Sequence, residues 1–484
     1  MAKIPIEMCG GTYQSSNPVL DAEDAFNCYP ERAELPTETS QIALIDCPGK
    51  KVFAQLEGEI AVPGSFTVNG RSFVAASHLW ELTLSGPINR GSLGSVPVQP
   101  AQITANETQL VISNNGNLYV MVLSTNVLTA VNMAQFNGPI AQIGFSDGYV
   151  IATLQNSHTF QQSNLEDATT WNGLNISTIS YFPDNITSMI CDHREPWFFS
   201  AKKAIGYYNA GAGFPVFIPI QGAYIESGSG ATFATVQLDN SVLWLDQTER
   251  GNMVARRLNG YVGERISTHA TELAWQSYSV TSDAVGWTYE ENGHEFWVIY
   301  FPTANATWAY DVSTKFWHKR GSWVEQTGTY IADRAMSHTF NFGMHLVGDP
   351  FSGTVYQLSS EFHSEAGNIR RGYRRSPTTS DDNKWVYYDQ FELNMDTGMA
   401  PDFPLLNGDG QSRPAQIMLR WSDDSGRTWS NTYTLSLGFA GEFGKRVIKR
   451  MLGRGRQRVW EVSWTDPVAI RISAAFLNGQ AAVN

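Results

Sequence analysis

Only four cysteines, Cys9, Cys28, Cys47 and Cys191, occur in 484 residues, and no Cys-x-x-Cys is among them. So few and so dispersed, they cannot form a disulfide framework. No histidine stands beside them at ligand spacing, so buried free thiols in a reducing compartment are expected, with no metal and no cofactor. Long hydrophobic runs are absent too. The longest are short, such as the segment 296–301 (Phe-Trp-Val-Ile-Tyr-Phe), against the ~18 to 20 residues that span a bilayer, so membrane insertion is not expected. Lys3 is followed by no continuous apolar stretch, so a secretory signal is not expected either. The sequons at Asn106, Asn175, Asn185 and Asn305 therefore carry no meaning. Charge is scarce, at 16% of residues against ~25% in an average soluble domain.

Catalytic signatures are also missing. There is no Gly-x-Ser-x-Gly elbow, P-loop, His-Glu-x-x-His or calcium loop. His193, His294, His318, His338 and His345 scatter over separate repeats and read as satisfied core or surface residues. A non-enzymatic chain is expected.

What is present is β-structure. Short runs of Val, Ile, Thr, Tyr, Phe and Trp alternate with Gly, Asn, Asp and Ser, and no convincing amphipathic helix exceeds about three turns. In 110–120, Asn115-Gly116 supplies the positive φ that a two-residue hairpin demands. Apolar hairpin centres recur near Phe73, Val111, Val150, Phe198, Leu243, Trp297 and Leu346, 38 to 54 residues apart. Four-stranded propeller blades occupy ~40 to 50 residues. The spacing therefore predicts an all-β chain with a β-propeller of six to eight blades, seven by direct count, over 56–364. An irregular stack of β-sandwiches shares the same strand lengths and turn chemistry. Residues 1–55 are expected to form an N-terminal arm and first strands. A polar, basic crossing follows at 365–383, and alternating strands over 384–484 predict a compact β-sandwich-like domain.

Net charge is −13, from 33 basic and 46 acidic residues, which argues against a general nucleic-acid coat. Its distribution is uneven. Lys445, Arg446, Lys449, Arg450, Arg454, Arg456 and Arg458 lie together with no acid between them, which leaves 26 basic against 46 acidic residues, a net −20, elsewhere. This segment reads either as a solvated strand edge or as a docking surface for an acidic partner or a phosphate backbone. Arg370, Arg371, Arg374 and Arg375 form a second cluster that would line the same face. Ser422, Asp424, Gly426, Thr428 and Trp429 fit the Asp-box pattern S-x-D-x-G-x-T-W. In that pattern the aspartate accepts turn amides and the tryptophan packs beneath the hairpin. The box is expected to be structural, with no catalytic residue in it. A retaining glycosidase would need paired carboxylates at the scissile bond, and none sits in such a motif.

These motifs together resemble the packaged-DNA stabilisation proteins of short-tailed phages, also called tail accessory, hub or nozzle proteins. The likeness rests on 369–377 (Ile-Arg-Arg-Gly-Tyr-Arg-Arg-Ser-Pro), the box at 419–430, 450–460, Thr465-Asp-Pro467, Gly10-Gly-Thr-Tyr13, Asn27-Cys-Tyr-Pro-Glu31 and Pro48-Gly49. The resemblance implies a structural protein of the virion tail, assembled in the host bacterial cytoplasm. It implies a homohexameric ring below the portal and its head–tail adaptor ring, closing the channel for double-stranded DNA. It further implies contacts with tailspikes or tail fibres and with a tail needle. A carbohydrate-binding or glycan-degrading propeller is the alternative, since aromatics at 12% would furnish sugar platforms.

Overall fold

The computed structural model describes residues 4–17, 21–33, 41–95, 97, 99–211 and 213–481. Met1–Lys3, at the head of the segment read for a secretory signal, lie outside them.

Short aromatic and β-branched runs joined by tight turns give antiparallel meanders, and these are arranged as a propeller. Six four-stranded sheets stand as separate blades, built from 64–92, 102–130, 140–178, 188–225, 236–265 and 337–359 with 49–55. A further meander, 285–320, has the same four strands, but it continues into the second domain as part of an 11-stranded sheet. Each hairpin centre read from the sequence lies on the second strand of one of these units; Trp297 marks the meander. The count of seven thus gathers six separate blades and one meander shared with the neighbouring domain.

One turn recurs in every unit. Between the first and second strands, two residues with positive φ close the hairpin: Asn69-Gly70, Asn115-Gly116, Asp147-Gly148, His193-Arg194, Asp239-Asn240, Asn292-Gly293 and Phe342-Gly343. Left-handed φ at both positions matches the right-handed twist of the flanking strands. Aromatic side chains fill the space between and within blades. Trp197, Trp244, Trp297, Trp308 and Trp317 are fully buried. The one α-helix among the described residues, His269–Gln276, is capped by Thr268 and presses Trp275 against Phe301, Trp308 and Trp317.

Ring closure comes from the N-terminal side. Strand Gly49–Gln55 pairs antiparallel with Thr354–Ser359 as the outer strand of the last blade. At Gly49 a Cβ would stand 2.3 Å from the Phe362 carbonyl oxygen, so only glycine lets the chain enter there. Lys50 is buried, and its ammonium meets Asp333 and Glu365.

The strands before Gly49 belong to the other domain. Ile4–Ile6, Cys28–Arg32 and Ile42–Asp46 join Val386–Met395 and Arg471–Ala481 in one sandwich sheet. Ala22–Phe26 pairs with Gly372–Arg375 in the other and, through Phe26 and Lys319, with the meander. The expected arm therefore runs through the sandwich, and only its last strand enters the propeller. Cys28 and Leu44 from the arm lie in the same core as Phe391, Ile417, Trp460, Ile472 and Leu477.

Buried polar groups fix this threading. Asn27, at φ 55°, donates its amide to the carbonyls of Gly321 and Arg371 and accepts from the Gly321 N–H. Arg374 is fully buried and donates to the carbonyls of Met8 (2.8 Å) and Gly11 (2.7 Å) and to Glu23. Its burial lowers the guanidinium pKa to about 10, so it stays charged at neutral pH. Arg374→Met should cost about 3 to 5 kcal/mol, because Glu23 and two carbonyls lose a buried cation. Urea denaturation reads this directly, and an unchanged midpoint would show that the arm is held by other contacts.

Candidate docking surface

The structure divides the two basic clusters into buried ties and exposed cations. In the crossing, Arg370 is buried and donates to the Asp46 carboxylate (2.6 Å) and to the Cys47 carbonyl. Asp46 also accepts from His363 Nδ1 at 3.1 Å and from the Ile470 N–H at 3.2 Å. Arg371 lies over the Trp323 ring at 4.6 Å. Arg374 holds the arm, and Arg375 pairs with Glu461 at 2.7 Å. The expectation of a docking face is therefore corrected for Arg370 and Arg374, which are buried. A guanidinium with five donors is well suited to joining chain segments: Arg374 ties three, and Arg370 ties the crossing to the arm at Asp46 and Cys47.

Arg458 requires the same correction. It is 1% exposed and makes a two-pronged bond to Asp423 (2.6 and 2.9 Å), with a third to the Leu452 carbonyl. Tyr388, Trp421 and Trp460 surround its guanidinium at 4.3 to 5.2 Å. Strand Gln457–Trp464 is buried on both faces from Arg458 onward, so its side chain lies inside.

The other six positions stay at or near the surface. Arg446 forms an exposed fork on Glu392 (3.0 Å), Lys449 sits over Tyr433 at 4.0 Å, and Lys445 donates to Ser436 at 2.9 Å. Strand Val447–Arg450 is the edge of its sheet, where Lys and Arg discourage stray strand pairing. Arg450 donates to Gln390 at 3.4 Å.

Arg454 and Arg456 differ from all of these. Both are exposed, and both guanidiniums rest on the Trp385 ring, at 4.6 and 4.8 Å. Among the described residues neither meets a carboxylate. The buried Gly455 between them abuts the Asp423 carboxylate, and a Cβ there would come within 2.4 Å of it. The backbone is thus pinned while its two neighbours point outward. Two cations gathered on one indole, with no carboxylate on their donors among the described residues, make an anion-receiving surface. The sequence showed the charges but not the role of Trp385, whose only signal was an aromatic residue opening the next strand.

The Asp box forms its turn as expected. Asp424 accepts from the Thr428 hydroxyl (2.6 Å) and N–H (2.8 Å) and from Ser422 Oγ (2.7 Å), while Gly426 takes φ 90° and donates to Ser422. The Thr428 hydroxyl is the chief reason that the Asp424 carboxyl falls to about 2. Trp429 lies against the turn, where a Cβ on Gly426 would meet its ring at 3.7 Å. It is half-exposed and roofs Arg420 (4.5 Å) and Arg375 (5.1 Å), which share the buried Glu461 carboxylate.

The propeller's own centre is different in kind. A cavity of about 440 Å³ is lined by the first strands of the blades and the meander, with Gln102, Thr104, Gln142, Cys191, Thr235 and His338 among its walls and no Asp, Glu, Lys or Arg. Its amides stitch strands together: Gln102 accepts from the Ile143 N–H (2.8 Å), and Gln142 donates to the Thr232 carbonyl (2.8 Å) while accepting from the Met189 N–H (2.6 Å). Among the described residues no group of three or more His, Cys, Asp or Glu is placed to hold a metal ion. No described helix is long and apolar enough to cross a membrane.

Two outcomes are expected here. Trp429→Ala should lower C-terminal domain stability by only about 1 to 2 kcal/mol, the worth of two exposed cation–π contacts. A loss of core size on thermal melting would contradict this. Asp424, with its pKa depressed, contributes stability that is complete above ~pH 4, its unfolded range, and is lost as pH falls through about 2. Carboxyl NMR should place its midpoint near 2; a midpoint near 4 would mean that the turn bonds do not persist in solution.

Comparison with known proteins followed the same division of the chain. A family model described as bacteriophage P22 Gp10, beta-propeller, matches residues 3–363, and one described as bacteriophage P22 Gp10, beta-sandwich, matches 374–480. No curated protein matches. Among solved structures, the computationally designed Ika8 protein is 10% identical, covering 64% of this chain and 99% of its own at a TM-score of 0.40. BamB from Moraxella catarrhalis is 12% identical, covering 68% and 96% at a TM-score of 0.37. On the strength of the two family models, this chain belongs to the bacteriophage P22 Gp10 family of short-tailed phage tail accessory proteins.

Proposed function

We propose that this chain is a non-enzymatic structural component of a short phage tail, working as a hub or nozzle ring. In this reading a homohexamer assembles in the host cytoplasm below the portal and its adaptor ring. It closes the DNA channel, stabilises the packaged genome, and carries tailspikes or fibres and a tail needle. The observation that carries it is the pair of family models that together take in both domains.

Three features support the reading. The propeller cavity, about 440 Å³ and walled by paired amides, is too small for a duplex. The 285–320 meander, which joins the 11-stranded sheet, does not change this. A DNA conduit must then form between copies of the chain, which calls for a ring. The acidic body suits a conduit wall, since like charge limits phosphate adhesion. The Arg454–Trp385–Arg456 surface supplies a cationic contact to a neighbouring ring or to the terminal DNA.

Replacing both Arg454 and Arg456 by Glu should leave the β spectrum and melting curve intact, because neither side chain is buried. Particles assembled with that variant should fail to dock the tail or should leak DNA. Filled, infectious particles would refute the role of this surface. Six-fold rings in negative-stain images of the purified chain are expected. Release of sugar from host envelope polysaccharide would instead favour a glycan-degrading propeller.

A further inference from the structure

The ring join holds a group of side chains whose chemistry exceeds an ion pair. Lys50, on the closing strand, is buried; its Nζ meets the Asp333 carboxylate and lies 3.4 Å from Glu365 Oε1. Both carboxylates are buried as well. Lys50 and Asp333 stand 283 residues apart in sequence. Each member is fixed from outside the group. The Asp333 N–H donates to Thr307 Oγ1 at 3.0 Å, and the Ser322 hydroxyl donates to Glu365 Oε1. The Lys50 backbone donates to the Ser364 carbonyl at 2.9 Å and accepts from the Ala366 N–H at 2.7 Å. With Gly49, Arg320 and Leu358 the three enclose a space of about 10 Å³, room for about one water molecule.

We propose that Lys50 Nζ and the Asp333 carboxyl condense to an intramolecular isopeptide bond, with Glu365 as the proton-transferring residue. The inference stands independently of the tail reading. Amide formation needs an amine held against a carboxyl, a second acid within reach of the nitrogen, and little water, and this site has all three. The other buried cations, Arg320, Arg370, Arg374 and Arg458, are guanidiniums that keep their protons and offer no nucleophile.

The resting state is the ion pair. Burial works against the Lys50 ammonium, but Asp333 and Glu365 together hold its pKa above the usual range. Passage of one proton from Nζ to Asp333 gives a neutral amine and a neutral acid, the forms a dry site favours. The Nζ lone pair then attacks Cγ of Asp333. Glu365 takes a proton from the nitrogen and returns it to the departing hydroxyl, which leaves as water. One N–C bond forms and one C–O bond breaks, with no change of oxidation state and no co-reactant. Around the space, Lys50 and Arg320 face Asp333 and Glu365, while Arg370 keeps Asp46 as its own partner. Condensation leaves Arg320 facing Glu365, so two buried charges vanish and the balance is kept. Exclusion of bulk water then protects the amide from hydrolysis.

Mass spectrometry of the purified full chain, denatured and reduced, tests the bond. The expected mass is one water below that of the sequence, and proteolysis should release one branched peptide that joins residue 50 to residue 333. Lys50→Arg and Asp333→Ala should each restore the full mass. Glu365→Gln should leave most chains unlinked although Lys50 and Asp333 are intact. On a denaturing gel the parent should run ahead of Lys50→Arg, because a covalent loop makes the unfolded chain more compact. Should these variants fail to fold, the mass and peptide map of the parent still decide. A parent at its full sequence mass, with Lys50 and Asp333 on separate peptides, would overturn the proposal, and a fully linked Glu365→Gln would overturn the part given to Glu365.

Discussion

A ring of β-sheets is stable only if its two ends are joined, and here the join is the pairing of Gly49–Gln55 with Thr354–Ser359. Everything before residue 49 is then committed to lie where that strand begins, against the sandwich. The buried ammonium of Lys50 strengthens the join by meeting two carboxylates from the far side of the sequence, Asp333 and Glu365. A buried cation is tolerable only when paired in this way. Its placement also fixes register, since a one-residue slip would turn the ammonium to the other face of the strand.

The same logic explains where the scarce charges go. Arg370, Arg374, Arg458 and Lys50 are all buried and all bound to carbonyls or carboxylates. They act as fasteners between segments far apart in sequence or joined by turns. Sequence proximity made the arginines look like surface stripes. Burial shows that the basic segment is a mixture of one internal fastener, several paired edge residues, and a small free surface on Trp385.

How much of this was visible beforehand depends on the range of the interaction. The blade periodicity was legible because it is local: strand, tight turn, strand, repeated. The hairpin at Asn115-Gly116 announced itself by composition, whereas His193-Arg194 and Phe342-Gly343 make the same turn with residues that rarely do so. That concealed the regularity of the repeat. Long-range facts were out of reach. Nothing near Ala22–Phe26 says that it will pair with Gly372–Arg375, nor does spacing reveal that His338 and His345 are diagonal neighbours. The Asp box was legible as a turn, yet nothing in its motif says that Trp429 will also cover the two arginines beside Glu461.

The threading of the arm has a consequence for how the chain is made. Ile4–Ile6 finds its partner at Ala475–Leu477, so this strand must wait for one synthesised about 470 residues later. At ~5 to 20 residues per second, that interval is roughly 20 to 100 seconds. Throughout it the arm's strands carry unpaired edges and part of a core that does not yet exist. Ring closure waits for Thr354–Ser359 in the same way. Both closures therefore come late in the assembly of the fold. Early truncation products should be open, adhesive β-structures, whatever the final stability of the ring.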